Sequence, residues 1–310
     1  MSGAPPRRAG SVRTGDRLWR LFLLAAGCGV FLLTALILIV LARLALPVLH
    51  QPGTWAFLTS SDWDPVAESF GALPFVWGTL VTSAVAVVLA FPVGLGVALF
   101  ITEVAPTWLR RPVTFAIELL SAVPSVVYGL WGLFIVVPWL RETVEPALGA
   151  ALGFLPLFSG PPLGLGYLAA GLVLAVMVLP TLASVSIEVM RTVPAGLRES
   201  AYALGATQWE VVRLAVLPHS RSGLVGALVL GTGRALGETM AVAMLIGNAP
   251  SVGTSLFAPG YSLASVIANE FAEAGSDAHV GALAALGLVL FLVTIAFNAA
   301  ARLLIGRRQP

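Results

Sequence analysis

Two charges stand where charge is costly. Arg234 and Glu238 interrupt an apolar run from Ser222 to Gly247, and their i, i+4 spacing puts them on one face of a helix if that run is helical. Arg234 lies 12 residues beyond Ser222, about 18 Å at the helical rise, close to the middle of a bilayer. A charge at that depth costs roughly 2.5–3.5 kcal/mol on insertion scales, so it should face a partner or an aqueous path. One reading is an intrahelical ion pair that aids packing. The other is a transient anion site, in which the planar guanidinium fork meets the oxygens of an anion. The second is favoured because ionisable groups inside membranes usually mark a substrate path. Gly233 and Gly237 repeat the same spacing and read as places of close helix approach.

Other chemistry is largely excluded. All 17 basic residues are arginine, so no Walker A lysine is present to reach a nucleotide phosphate and no lysine can form a Schiff base. If ATP drives this protein, another chain must bind it. Cys28 is the single cysteine; it permits no internal disulfide and reads as a small buried hydrophobe. His50, His219 and His279 are far apart, and no His/Cys/Asp/Glu group has metal-ligand spacing. Neither a metal nor a cofactor is expected. Gly164-x-Gly166-x-x-Ala169 matches a dinucleotide fingerprint superficially, but no strand precedes it and it falls at a membrane span. No Ser-His-Asp or paired-carboxylate arrangement can be argued from spacing. The net charge of +2 is too small to suggest a nucleic-acid partner.

The elements that must position Arg234 are membrane helices. Of the 310 residues 58% are hydrophobic and 10% charged, against about 25% charged in soluble domains. A spanning helix needs about 20 apolar residues. Six stretches qualify, at residues 21–42, 74–101, 113–137, 163–187, 222–247 and 280–301, and their continuous rather than alternating hydrophobicity excludes transmembrane strands. The expected fold is an all-α integral membrane bundle of six helices. Residues 1–20 form a basic, mobile cytoplasmic tail that meets anionic membrane lipid. Residues 21–306 form the transmembrane domain, with a long polar connector at 188–221. The first span reads as an uncleaved anchor, since its apolar run exceeds that of a signal peptide.

Most loop and terminal arginines fall on one side in alternate segments: in the tail, at Arg110 and Arg111, at Arg191, Arg198, Arg213 and Arg221, and at Arg302, Arg307 and Arg308; the other three loops hold only Arg141 in their interiors, with Arg43 at the edge of the first. The intervening loops are acidic, with Asp62, Asp64, Glu68, Glu270, Glu273 and Asp277 among their charges. This bias predicts both termini in the cytoplasm. Pro124-Ser125 predicts a kink in the third span. Glu118 either snorkels to the interface or pairs with a nearby arginine, and residues 146–162 are either an outer loop or partly inserted.

The connector reads RTVPAGLRESAYALGATQWEVVRLAVLPHSRSG. Pro194 can open a helix whose Leu197, Ala201 and Leu204 form an apolar stripe. Gly205 interrupts it. Thr207 and Glu210 have capping-box spacing for a second short helix, which carries Trp209, Val212 and Arg213 until Pro218 stops it. Taken alone, this is a helix–glycine turn–helix lying on a membrane face. The stretch also resembles the coupling loop of ATP-binding-cassette importer permeases. That loop has Glu-Ala-Ala, three residues, Gly, nine residues, then Ile-x-Leu-Pro. Here Glu199-Ser200-Ala201, Gly205 and Ala215-Val216-Leu217-Pro218 hold those places, with Ser200 and Ala215 departing mildly.

Two further stretches, Gly96 to Phe134 and Gly231 to Asn248, resemble the PstC-type permeases of phosphate importers, the run Gly237 to Val242 most specifically. The resemblance implies a type I importer permease that moves inorganic phosphate into a bacterial cell across its inner membrane, without being an enzyme itself. Glu199, Ala201, Gly205, Leu217 and Pro218 would couple it to an ATPase, and Arg234 and Glu238 would lie on the substrate pathway. The implied partners are a PstA-like permease, two copies of a PstB-like ATPase and a PstS-like extracytoplasmic phosphate-binding protein. A permease for another oxyanion, or a secondary anion transporter, is the alternative. The second of these leaves the coupling-loop match without a reason.

Overall fold

The computed structural model describes residues 9–306. In chain order the helices are α1 (Ala9–Val48), α2 (Thr54–Thr59), α3 (Leu73–Leu99), α4 (Thr107–Ala122), α5 (Ser125–Trp131), α6 (Val137–Trp139), α7 (Glu145–Leu152), α8 (Tyr167–Arg191), α9 (Ala195–Ala203), α10 (Gln208–Val211), α11 (Leu217–Leu236), α12 (Met240–Leu245), α13 (Leu263–Glu270) and α14 (Asp277–Gly306). An antiparallel pair of two-residue strands, β1 (Trp63–Asp64) and β2 (Ser69–Phe70), lies between α2 and α3. Among the described residues five helices are long and apolar enough to cross a membrane, and a bent pair brings the number to six.

The bend falls at Pro124-Ser125, where a kink in the third span is expected, but it is sharper than a kink, and the pair runs from Thr107 to Leu152 rather than over 113–137. Val123 and Pro124 adopt extended backbone, with ψ of 129° and 143°, because the proline ring drives the residue before it out of the helical region. The chain therefore stops at Ala122, restarts at Ser125 and turns through 92°. Part of the expected tail at 1–20 is helix, since α1 begins at Ala9; residues 1–8 lie outside the described residues. Cys28 is exposed rather than buried, because the apolar surface of α1 faces away from the bundle over most of its length. Gly164 and Gly166 precede α8 and do not fall within a span. Their φ values of 77° and 153° turn the chain into that helix, where Gly164 donates its N–H to the buried Glu145 carboxylate at 2.9 Å. Residues 146–162 comprise all of α7 but its first residue, a short 3-10 turn at Pro156–Phe158 and loop.

The centre of the bundle is α8 against α3 and α11. Small residues set the approach: a Cβ on Gly171 would fall 2.5 Å from Val85, and one on Gly94 would fall 3.2 Å from Leu182. On α11 the packing glycines are Gly223 and Gly231, against Val189 and Leu182. Gly233 and Gly237 were expected to pack closely. They do not: Gly233 has no neighbour within 4 Å of its Cβ position, and Gly237 meets only Gly233.

The core has three parts. Val173, Leu174, Met177 and Leu245 fill the middle. Phe57, Phe75, Tyr261 and Leu286 fill the end near the β-pair. Ile101, Ile117, Ile187, Met190 and Val216 fill the opposite end, beneath the connector.

Candidate functional site

The connector folds as helix, glycine turn, helix. Pro194 precedes α9 in extended backbone. Gly205 sits at φ +85° with nothing near its Cβ position, so the demand there is on backbone conformation and not on space. Thr207 caps α10: its backbone N–H donates to Glu210 Oε2 at 2.7 Å, and its Oγ1 accepts from the Glu210 N–H at 3.4 Å. Pro218 does not stop the second helix as expected. A π-turn at Val212–Val216 shifts the hydrogen-bond register, with the Leu217 N–H bonding the Val212 carbonyl, and the helix continues from Gln208 to Leu236. A π-turn is a rare one-turn insertion, frequent at functional sites. Here it lets a proline lie within a continuous rod.

These turns shape an open groove of about 670 Å³ lined by Leu197, Ala201, Leu204, Gly205, Leu214 and Pro218, with Ser200, Glu210 and His219 also on its wall. Leu204 is 89% exposed on its rim. Of the residues expected to couple, Ala201, Gly205 and Pro218 meet around this groove. Glu199 is exposed beside it, and Leu217 turns the other way, packing against the core beneath the connector.

Arg234 and Glu238 do not share a helix face. α11 ends at Leu236, and Gly237, the poorest helix former after proline, opens a break before α12. Glu238 lies in that break, its N–H reaching back to the Ala235 carbonyl at 3.4 Å. No ion pair joins it to Arg234 among the described residues. Arg234 is exposed in the last turn of α11, where a helix C-terminus favours a cation, and it donates to Thr181 Oγ1 of α8 at 3.3 Å.

The span expected at 222–247, with Arg234 near its middle, is corrected to Gln208–Leu236, and its end just beyond Arg234 meets the bent pair here. α12 packs on α5 closely enough that a Cβ on Gly129 would fall 2.6 Å from the Met244 sulfur, and Tyr128 of α5 lies within electrostatic reach of Arg234. Glu118 is exposed and forms no ion pair among the described residues. It borders a small cleft shared with Arg110, Arg111 and Arg191.

Two constellations escaped the sequence reading. The first lies near the β-pair. Glu270 accepts from Trp63 Nε1 at 3.0 Å and lies 3.1 Å from His279 Nε2, while Phe70 stacks on the histidine ring. Beside them, burial, opposed by the Asn269 amide and reinforced by Glu270, pushes the Tyr261 hydroxyl up to about 12. Trp63, Tyr261, Asn269, Glu270 and His279 border a cleft of about 710 Å³. The partners are up to 207 positions apart, so no local spacing signals them. The second is an ion pair between Arg198 and Glu103 at 2.9 Å beneath the connector. Its one sequence signal is an acid just past the second apolar run.

Residues 90–309 match the family described as binding-protein-dependent transport system inner membrane component. The phosphate transport system permease protein PstC of Pasteurella multocida is 53% identical over 257 residues, covering 82% of this chain and 80% of its own. That of Xylella fastidiosa strain 9a5c is 49% identical over 298 residues, covering 94% and 91%. A chain of a bacterial ABC transporter that imports the acidic polysaccharide alginate superposes with a TM-score of 0.63 at 19% identity, covering 98% of this chain and 100% of its own. A chain of the inward-facing MetNI methionine ABC transporter gives 0.58 at 21% identity, covering 76% and 95%. These two likenesses are of fold.

Proposed function

This chain belongs to the inner membrane components of binding-protein-dependent transport systems, and we propose that it is the permease subunit through which an ATP-driven importer moves inorganic phosphate into the cell. The observation that carries the substrate is identity of 46–53% to PstC proteins over 82–94% of the chain. The chain has no lysine for a nucleotide loop, so hydrolysis belongs to a separate ATPase, which we seat in two copies beneath the permease pair. The groove around Ala201, Gly205 and Pro218 receives it, with Glu199 at its edge and Leu217 anchoring the rod that leaves it. A PstA-like chain completes the path, and a PstS-like binding protein delivers the anion from outside. In this reading both termini and the connector are cytoplasmic, as the arginine bias requires.

Arg234 supplies a cationic fork where the end of α11 meets the bent pair. With its helix ending two residues later and Thr181 as its hydrogen-bond partner, the guanidinium keeps donors for an anion in transit. Glu238, in the break, repels an anion that lingers. ATP binding then biases inward-closed against inward-open states, because a ligand shifts an equilibrium only by its different affinity for the two.

The test is uptake of radiolabelled phosphate in a strain lacking its own phosphate permease, with this chain and its three partner types expressed together. Uptake that requires ATP and resists competing sulfate and molybdate is expected. Uptake that follows another oxyanion, or persists with a hydrolysis-dead ATPase, overturns the assignment.

A further inference from the structure

The connector has an inward face as well as the groove. Along α9 most positions are exposed, but Arg198 turns beneath the helix. Its side chain is 23% exposed and that of Glu103, just past the end of α3, only 8%. The pairing is a fork, with Nη2 on Oε1 at 2.9 Å and Nε on Oε2 at 3.4 Å. The same guanidinium donates from Nη1 to the Val193 carbonyl at 2.7 Å and from Nη2 to the Met190 carbonyl at 3.1 Å. Four of the five guanidinium donors are thereby used. Met190 and Val193 flank the end of α8, whose last carbonyls lack partners within the helix. From beyond the Gly205 turn, Gln208 Nε2 donates to the Glu103 backbone carbonyl at 2.6 Å. Both short helices of the connector thus hold the end of α3, and Arg198 also holds the end of α8.

A fork fixes orientation as well as distance. A movement of α9 must therefore carry the ends of α3 and α8 with it or break these bonds together. The two helices are packed through Gly94 and Gly171, so they respond as one body. α8 also carries Thr181, the partner of Arg234, nine residues from Met190 and about 14 Å along the axis.

We propose that Arg198 and Glu103, with Gln208, form the joint through which the docked ATPase moves the spans. Arg198 is a positioning residue: it touches neither nucleotide nor anion. The inference rests on the docking reading above. Its signature is loss of coupling while docking persists, because the contacts face away from the groove.

The experiment uses the complete importer in vesicles, with inorganic phosphate as the transported anion. Three quantities are read for each variant: ATPase retained per permease, hydrolysis rate, and phosphate moved per ATP. Arg198→Ala and Glu103→Gln should retain the ATPase and lower phosphate per ATP at least about fivefold, the lower end of common allosteric couplings. Arg198→Lys should recover part of that loss, since it keeps the charge without the fork. Gln208→Ala should show a smaller loss in the same direction.

The double variant Arg198→Ala/Glu103→Ala leaves no lone buried charge, so complex abundance should recover while phosphate per ATP stays low. A normal ratio in that double variant makes the pair packing only and overturns the joint. If Arg198→Ala fails to assemble, the double variant and Gln208→Ala decide, and normal ratios in both overturn it. Gly205→Glu is run beside them. If it keeps the ATPase, the docking reading fails and the joint with it. If it loses the ATPase while the Arg198 and Gln208 variants couple normally, the joint alone fails.

Discussion

Gly205 offers a graded test of whether the connector's shape is what the ATPase recognises. Its φ of +85° lies in the left-handed region, and no atom lies within 4 Å of an added Cβ. Alanine there meets no collision, so its cost is the backbone term alone, about 1–2 kcal/mol. Asparagine, whose short side chain tolerates that region, should cost less. Glutamate carries the backbone cost and also puts bulk and charge on a groove lined by Leu197, Ala201, Leu204 and Pro218. A connector relaxed out of the left-handed turn must return to it to dock, so the backbone cost appears as lost affinity. For alanine that is roughly 5–30-fold, for asparagine less, and for glutamate binding should be lost. The assay is equilibrium binding of purified ATPase to the permease pair in detergent, with permease folding followed separately by thermal melting. Alanine binding as wild type, or asparagine binding worse than alanine, refutes the argument, because either result means the positive φ is not required for docking.

Three further outcomes are expected. Arg234→Gln should abolish most phosphate uptake at normal complex abundance and Arg234→Lys should weaken it; since no ion pair joins the two residues, adding Glu238→Gln should not restore uptake, and full recovery in the double variant would reject an anion role. In a Cys28→Ala background, Thr59→Cys and Ser276→Cys should react with an impermeant thiol reagent on intact spheroplasts while Ser11→Cys is spared, and labelling of Ser11→Cys would invert the topology. Glu270→Ala removes the shared acceptor of Trp63 and His279 and should lower stability by about 1.5–3 kcal/mol, the range for hydrogen bonds to a charged group, read as a lower thermal midpoint; an unchanged midpoint would show that the contact carries no stability.

Hydrophobic runs made the spans legible, because length and continuity are properties of a single helix. The connector was legible for a related reason. Thr207 and Glu210, Pro194 and Gly205 act within a few residues of themselves, and their caps and turns formed as spacing predicts. What spacing could not supply was backbone interruption by context. Gly237 in an apolar run reads as a small helix residue, yet it ends α11 and separates Arg234 from Glu238. Pro218 reads as a stop, yet the π-turn before it carries the helix through. The fork of Arg198 on Glu103 crosses 95 positions, and Glu270 meets Trp63 across 207. Such partners are chosen by packing of α8 on α3 and of α14 on α13, which no one-dimensional pattern records.

The first helix has a consequence for how this subunit sits in its bilayer. α1 runs for 40 residues, about 60 Å, while the hydrocarbon core it crosses is about 30 Å thick. Its firm contacts with the bundle come near its end, where Ala45 and Val48 are buried and where a Cβ on Gly281 of α14 would fall 2.9 Å from the Leu44 carbonyl. Leu18, Phe22, Phe31, Leu32 and Leu33 are all more than half exposed. A rod held near one end and apolar along the rest meets a change in lipid thickness by tilting.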